Sequence, residues 1–167
     1  MAKRQTAARK SARRAEPKFS RLHAPDGMPL EGWQAALRRQ FGREQDFGLE
    51  NLGEEPWFSD FRVTNPQSRG VYRVSIRGAG PGDNRCSCPD FASNELGTCK
   101  HIEFTLARLQ QRRGAKTAFA RGYRPDFSEL WLQYGSERSL RLRIGGACPP
   151  ALRERANALF DAVEGWR

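Results

Sequence analysis

Cys86-Ser87-Cys88 and Cys99-Lys100-His101 together constrain this chain more than anything else in it. Three thiols and one imidazole in a Cys-x-Cys, gap, Cys-x-His pattern are the soft and borderline donors that tetrahedral zinc takes in a closed structural site. The spacing also makes a geometric demand. On extended backbone the side chains of Cys86 and Cys88 point to one face, because the strand period is two. Cys99 and His101 on a regular helix would diverge by about 200°, so Cys99 belongs at the non-helical entry to a helix and His101 in its first turn. Gly97 and Thr98 suit that entry. Unpaired N–H groups at a helix start favour a thiolate over a thiol there. Three thiolates, a neutral imidazole and a divalent cation leave one net negative charge, which Arg85 and Lys100 flank.

A disulfide is the competing use of these cysteines. A Cys86 to Cys88 bridge would close a very small strained ring, and the chain opens without a secretory pattern, so a reducing, cytoplasmic setting is expected. Cys148 reads as a small, partly buried thiol and His23 as a loop histidine.

The four ligands, with Pro89-Asp90-Phe91 after the second cysteine and Lys100 inside the Cys-x-His, resemble a SWIM-type zinc finger. That resemblance covers about forty residues. It implies a small ββα zinc unit, as found in bacterial Swi/Snf-type ATPases, Mutator-like transposases and some ubiquitin-pathway proteins, with roles in binding DNA or proteins. More loosely, the whole chain is similar to the segment that precedes the motor in bacterial Swi/Snf-type ATPases, including a Trp-containing helix before the finger. It departs from them in having no G-x-x-x-x-G-K-[ST], hence no motor of its own.

The charge distribution divides the chain. The net charge is +10, and the first twenty-one residues hold +7 of it through Lys3, Arg4, Arg9, Lys10, Arg13, Arg14, Lys18 and Arg21 against Glu16. Residues 1–22 have almost no large apolar side chains and are expected to form a disordered basic tail. Such an arm either binds phosphate backbones through counterion release or merely solubilises. No apolar run approaches about eighteen residues, so no membrane span is expected.

Residues 23–114 read as the zinc-binding domain. Leu30, Trp33, Leu37 and Phe41 repeat at helical spacing up to Gly42, with Arg38, Arg39 and Arg43 on or near the solvated side. Trp57–Val63 and Val71–Ile76 read as a hairpin across Asn65–Gly70, with Tyr72, Val74 and Ile76 facing inward. Gly78–Asn84 is a turn that delivers the chain to Cys86. Ile102, Leu106 and Leu109 form the inner stripe of the metal helix, and Phe104 lies off it. Residues 115–128 read as a connector. In 129–167, Leu130, Leu132, Leu140, Leu142 and Ile144 make a leucine-rich face, which Leu152, Ala156, Leu159, Phe160 and Val163 of a last helix should cover. Trp131, Arg141 and Arg143 take the opposite face, either packed on the zinc unit or a partner, or free for stacking and phosphate contacts. The expected class is α+β: a small antiparallel sheet with a ββα zinc unit, then a hairpin and a C-terminal helix.

Two functions are compatible with this. One is a zinc-stabilised module that binds nucleic acid with low sequence specificity through the tail and Lys100, Arg108, Arg112, Arg141 and Arg143, which would make it nucleoid-associated. The other is a protein-interaction subunit, the front end of a Swi/Snf-like machine. Catalysis is not expected, because a fourth protein ligand leaves zinc no open position and no nucleophile and base pair stands out.

Overall fold

A computed structural model describes residues 18–134, 138–161 and 165–166. The chain is α+β, and its centre is a four-stranded antiparallel meander. β1 (Gly48–Asn51), β2 (Asp60–Thr64), β3 (Val71–Ser75) and β4 (Arg85–Cys86) lie side by side in chain order. The register pairs Phe61 with Val74 and Val74 with Cys86. Phe61, Val63, Val74 and Ile76 are wholly buried, while Val71 and Arg73 face out, as the alternation of apolar side chains requires. β1 was not foreseen from the sequence: Gly48-Leu49-Glu50-Asn51 has neither the branched side chains nor the flanking turn residues of a strand, and pairing with β2 holds it.

Two helices cover the sheet side that carries the cysteines. α1 spans Leu30–Glu44 and α3 spans Lys100–Gln110; between them the short α2 (Pro89–Ser93) follows Cys88. α1 does not dock through its large side chains. Leu30 and Phe41 are exposed, and Gly42 is the buried residue of this helix. Gly42 does not terminate α1; it marks where the two helix backbones cross. A Cβ there would lie 2.7 Å from the Lys100 carbonyl oxygen and 2.7 Å from the Phe104 nitrogen. Arg38 and Arg39, expected in solvent, share that docking face. Arg38 donates to both carboxylate oxygens of Asp90, at 2.7 and 3.2 Å, and Arg39 Nε donates to Glu103 at 3.3 Å. The stripe with Trp33 and Phe41 instead meets the segment ahead of the helix. Trp33 Nε1 donates to the Ser20 carbonyl, Arg21 lies over the Phe41 ring, and Lys18 pairs with Glu44. Residues 18–22, assigned to the tail on sequence, therefore lie along α1; residues 1–17 are outside the described residues.

Past α3, the stretch read as a connector contains α4 (Ala115–Arg121), whose Phe119 meets Phe58 edge to face at 5.3 Å. β5 (Glu129–Gln133) and β6 (Ser139–Arg143) form the expected hairpin, Leu130 opposite Leu142 and Leu132 opposite Leu140. Of the two settings open to the Trp131 face, the packed one is found, and the leucine face is the one left uncovered. Trp131, Arg141 and Arg143 turn toward the zinc unit, where Arg85 lies over Trp131 and Arg77 pairs with Glu129. Leu130 is left 58% exposed. The inward choice follows from the larger ring of Trp131 and from the acid and aromatic partners, Glu129 and Tyr123, that accept Arg143. α5 (Pro150–Leu159) begins at the predicted prolines but does not blanket the leucines: Leu152 and Leu159 are exposed themselves. Phe160 belongs to β7 (Phe160–Asp161), which pairs with β8 (Gly165–Trp166), and Val163 lies outside the described residues.

Gly42→Ala tests the helix crossing. The added methyl meets backbone rather than a flexible side chain, so a loss of about 1 to 3 kcal/mol is expected, read as a lower denaturant midpoint. Leu30→Ala, at an exposed position, should shift that midpoint far less.

Candidate metal centre

The four predicted ligands converge in the core. Cys86 ends β4, and Cys88 is the N-cap of α2 with φ −78° and ψ 150°. Cys99 is the N-cap of α3, extended at φ −153° and ψ 169°, and His101 is the second residue of that helix. The non-helical entry required by the Cys-x-His spacing is thus present. α2 was not read from the sequence, although Pro89-Asp90 directly after a residue with an accepting side chain is a helix start. Cys88 Sγ accepts the Phe91 N–H at 3.4 Å, a cap made by sulfur.

Gly97 gives the chain its direction into Cys99. Its φ is +66°, and a Cβ would come within 3.0 Å of the Gly82 nitrogen and the Tyr134 carbonyl. Both properties select glycine. Asn84 stabilises the other approach: its side-chain oxygen accepts from the Arg77 and Gly78 N–H groups, and its amide donates to the Gly78 carbonyl.

One donor atom from each of the four side chains lies within 4.8 Å of every other. His101 Nδ1 is 3.8 Å from Cys86 Sγ and 4.0 Å from Cys99 Sγ. Adjacent donors around a tetrahedral ion with bonds of about 2.0 to 2.3 Å stand about 3.6 to 3.8 Å apart, so the cluster could hold a metal ion with little adjustment. All four residues are buried, and the cysteines pack in the same core as Phe61, Val74, Phe91 and Ile102. His101 is held between Tyr72 and Phe47, with ring centroids at 4.4 and 5.4 Å. The inward side of Tyr72 was legible from alternation; Phe47 carried no signal in the sequence. The Nε2 atom of His101 is buried without a hydrogen-bond partner, so nothing on the protein side competes for the imidazole against the three sulfurs.

Crowding the sulfurs together decides their protonation. The Cys88 thiol is held well below the usual range by hydrogen bonds from Cys86 and Cys99. Cys86 is pushed up to about 12, chiefly by its hydrogen bond with Cys88, and Cys99 is raised further by Cys86 and Cys88. A second thiolate beside the first would be a buried like charge. Only a cation makes three thiolates compatible with this burial.

The Lys100 ammonium lies 5.9 Å from the Phe41 ring centroid and 6.0 Å from that of Phe47. Among the other predicted phosphate contacts, Arg108 on α3 and Arg112 just past it are exposed, Arg108 at 3.5 Å from Asp46 and Arg112 donating to the Pro56 carbonyl. Arg141 and Arg143 are half-buried and occupied. Arg141 Nε donates to Gln133 at 2.8 Å, and Arg143 donates to Glu129 at 2.6 Å while lying 4.8 Å from the Trp131 centroid. Arg108 and Arg112 thus open to solvent, whereas Arg141 and Arg143 are engaged within the hairpin and, for Arg143, with Tyr123. No family model, curated protein or solved structure matches this chain. No helix among the described residues is long and apolar enough to cross a membrane.

Crowding favours the thiolate at Cys88 and the protonated thiol at Cys86 and Cys99, so binding an ion should displace protons from the latter two. About two protons should be released per ion bound near neutral pH, and log affinity should rise by about two per pH unit, being lost as pH falls. Titration of metal into metal-free protein in a weakly buffered indicator solution measures the count.

Proposed function

We propose that the chain is a zinc-binding SWIM-type module that mediates nucleic-acid binding with low sequence specificity. The observation that carries the metal half is the closed Cys86, Cys88, Cys99 and His101 cluster in the core. Three thiolates and an imidazole in compact, tetrahedral-like spacing suit zinc above the other divalent ions, which favour oxygen donors or other geometries. The order of the ligands, Cys-x-Cys on strand and helix cap, then Cys-x-His at a helix start, supports the SWIM assignment. Zinc here is structural. It supplies charge neutralisation and a cross-link among β4, α2 and α3, with all four positions taken by protein, so no water is held for hydrolysis and the module is not an enzyme.

The nucleic-acid half rests on charge. The net charge is +10; Arg108 and Arg112 are exposed at and just past the end of α3, and the sequence of residues 1–17 holds six cations and one acid. Phosphate contacts of this kind give affinity and a salt dependence without reading bases. A protein-binding role is the second reading, favoured by the exposed leucines of the hairpin and α5, a surface on which a Swi/Snf-type ATPase or another protein would sit.

Binding of the full chain to duplex DNA at several salt concentrations separates the two. The expected slope of log affinity against log salt is about −0.9 per phosphate neutralised, and deleting residues 1–17 should flatten it. Arg108→Ala with Arg112→Ala should weaken binding further and leave base preference unchanged. No binding to any nucleic acid at low salt would defeat this reading and leave the leucine surface as the functional one.

A further inference from the structure

A cation-rich run free of acidic residues begins within α3 and continues past it. From Phe104 to Pro125 the sequence contains six cations and no acidic residue. Arg113, Lys116, Arg121 and Arg124 in this run are exposed and make no contact with an acidic group among the described residues. Arg121 and Arg124 stand on one wall of a 1120 Å³ groove between the β1–β2 loop and the segment from α4 to β5. Glu54 and Glu55, of the β1–β2 loop, line the same groove. On the groove floor, Arg73 and Arg77 are both paired with Asp60 and offer no free charge.

The rings in the groove fall into two kinds. Phe58 and Tyr123 are engaged with each other at 5.7 Å, and Phe58 also packs on Phe119. Trp57 is half-buried, and Phe127 is 61% exposed at the groove edge with no ring partner among the described residues. Cations from the segment between α4 and β5, acids from the β1–β2 loop and available ring faces define a direction across the groove. A polyanion backbone is drawn to the Arg121 and Arg124 side and repelled from Glu54 and Glu55, which turns flat apolar groups attached to that backbone toward Trp57 and Phe127. A duplex keeps its bases stacked inside and cannot use such rings; an unpaired strand can.

We infer that this groove binds single-stranded nucleic acid, with phosphates on Arg121 and Arg124 and a base stacked on Phe127. The inference rests on the nucleic-acid reading above and adds the place and the strand form. Arg113 and Lys116 continue the cationic track outside the groove toward the end of α3, where Arg112 and Arg108 extend it.

The test uses the zinc-loaded full chain and fluorescence anisotropy with a mixed-sequence single-stranded oligonucleotide, the matching duplex and phosphatidylserine vesicles. Arg121→Ala with Arg124→Ala should weaken single-strand binding about tenfold or more and make the salt slope shallower by about 1.4, the share of two phosphates on a single strand. Phe127→Ala should weaken single-strand binding by about fivefold or more while leaving duplex binding within twofold. Neither substitution should change zinc content or the denaturant midpoint, because these side chains are exposed and outside the core. If both variants bind the single strand as the parent does, the groove assignment is wrong and the broader nucleic-acid reading stands on the tail and α3. If the parent binds no oligonucleotide, both fail together. Binding to vesicles alone, lost in the arginine variant, would assign the cationic wall to an anionic lipid surface and overturn the inference.

Discussion

Three sulfurs and an imidazole nitrogen occupy the place where another domain of this size would put a few more apolar side chains. Cys86 faces Val74 across the sheet, Cys88 caps α2, and Cys99 caps α3. The four residues of the cluster thus sit at the start or end of three elements, Cys99 and His101 sharing α3. Without a cation, the crowded sulfurs resist ionising together, because a second buried thiolate would be a like charge beside the first. With a cation, the same atoms become a cross-link joining sheet and helices through bonds far stronger than the dispersion contacts around them. The packing around the cluster, from Phe61 and Val74 to Ile102 and Phe104, is arranged so that loss of the ion exposes the whole core to an uncompensated polar site.

The interactions at the next level out are mostly arginine-mediated. Arg38 and Arg39 tie α1 to Asp90 after Cys88 and to Glu103 after Cys99, so the first helix grips both metal-bearing turns. Glu103 is buried and also accepts from the Thr98 hydroxyl, which orders the entry to α3. On the far side, Arg77 and Arg143 converge on Glu129 and bring the hairpin against the Gly82 turn. A chain with a high net positive charge thus spends several of its arginines on folding, which is why charge alone did not locate the surface free for a partner.

The convergence of Cys86, Cys88, Cys99 and His101, the extended entry before His101 and the inward set of β3 were legible because each follows from a spacing rule that acts within a few residues. What escaped was set by pairs far apart in the chain. The face of α1 that docks is small and cationic, so an apolar stripe pointed to the wrong side; only the proximity of Gly42 to the α3 backbone reveals the crossing. β1 exists because β2 offers it an edge. In the hairpin, alternation separated the leucine face from the Trp131 face and left the packing of the second open; Arg85, Glu129 and Tyr123 decide it, and the leucines expected under α5 stay exposed. α4 was hidden by the glycines at both ends, Gly114 and Gly122, which mark its limits rather than an absence of structure.

Since the ligands lie inside the single core, zinc and fold should be lost together. Amide hydrogen exchange of the full chain, followed residue by residue before and after a strong zinc chelator, addresses this directly. Collapse of protection in α3 and in β2, β3 and β4 together upon chelation is the result that follows if the ion holds the core. Protection in those elements that survives in the zinc-free chain would mean that the apolar contacts suffice and that the cluster is an accessory to the fold.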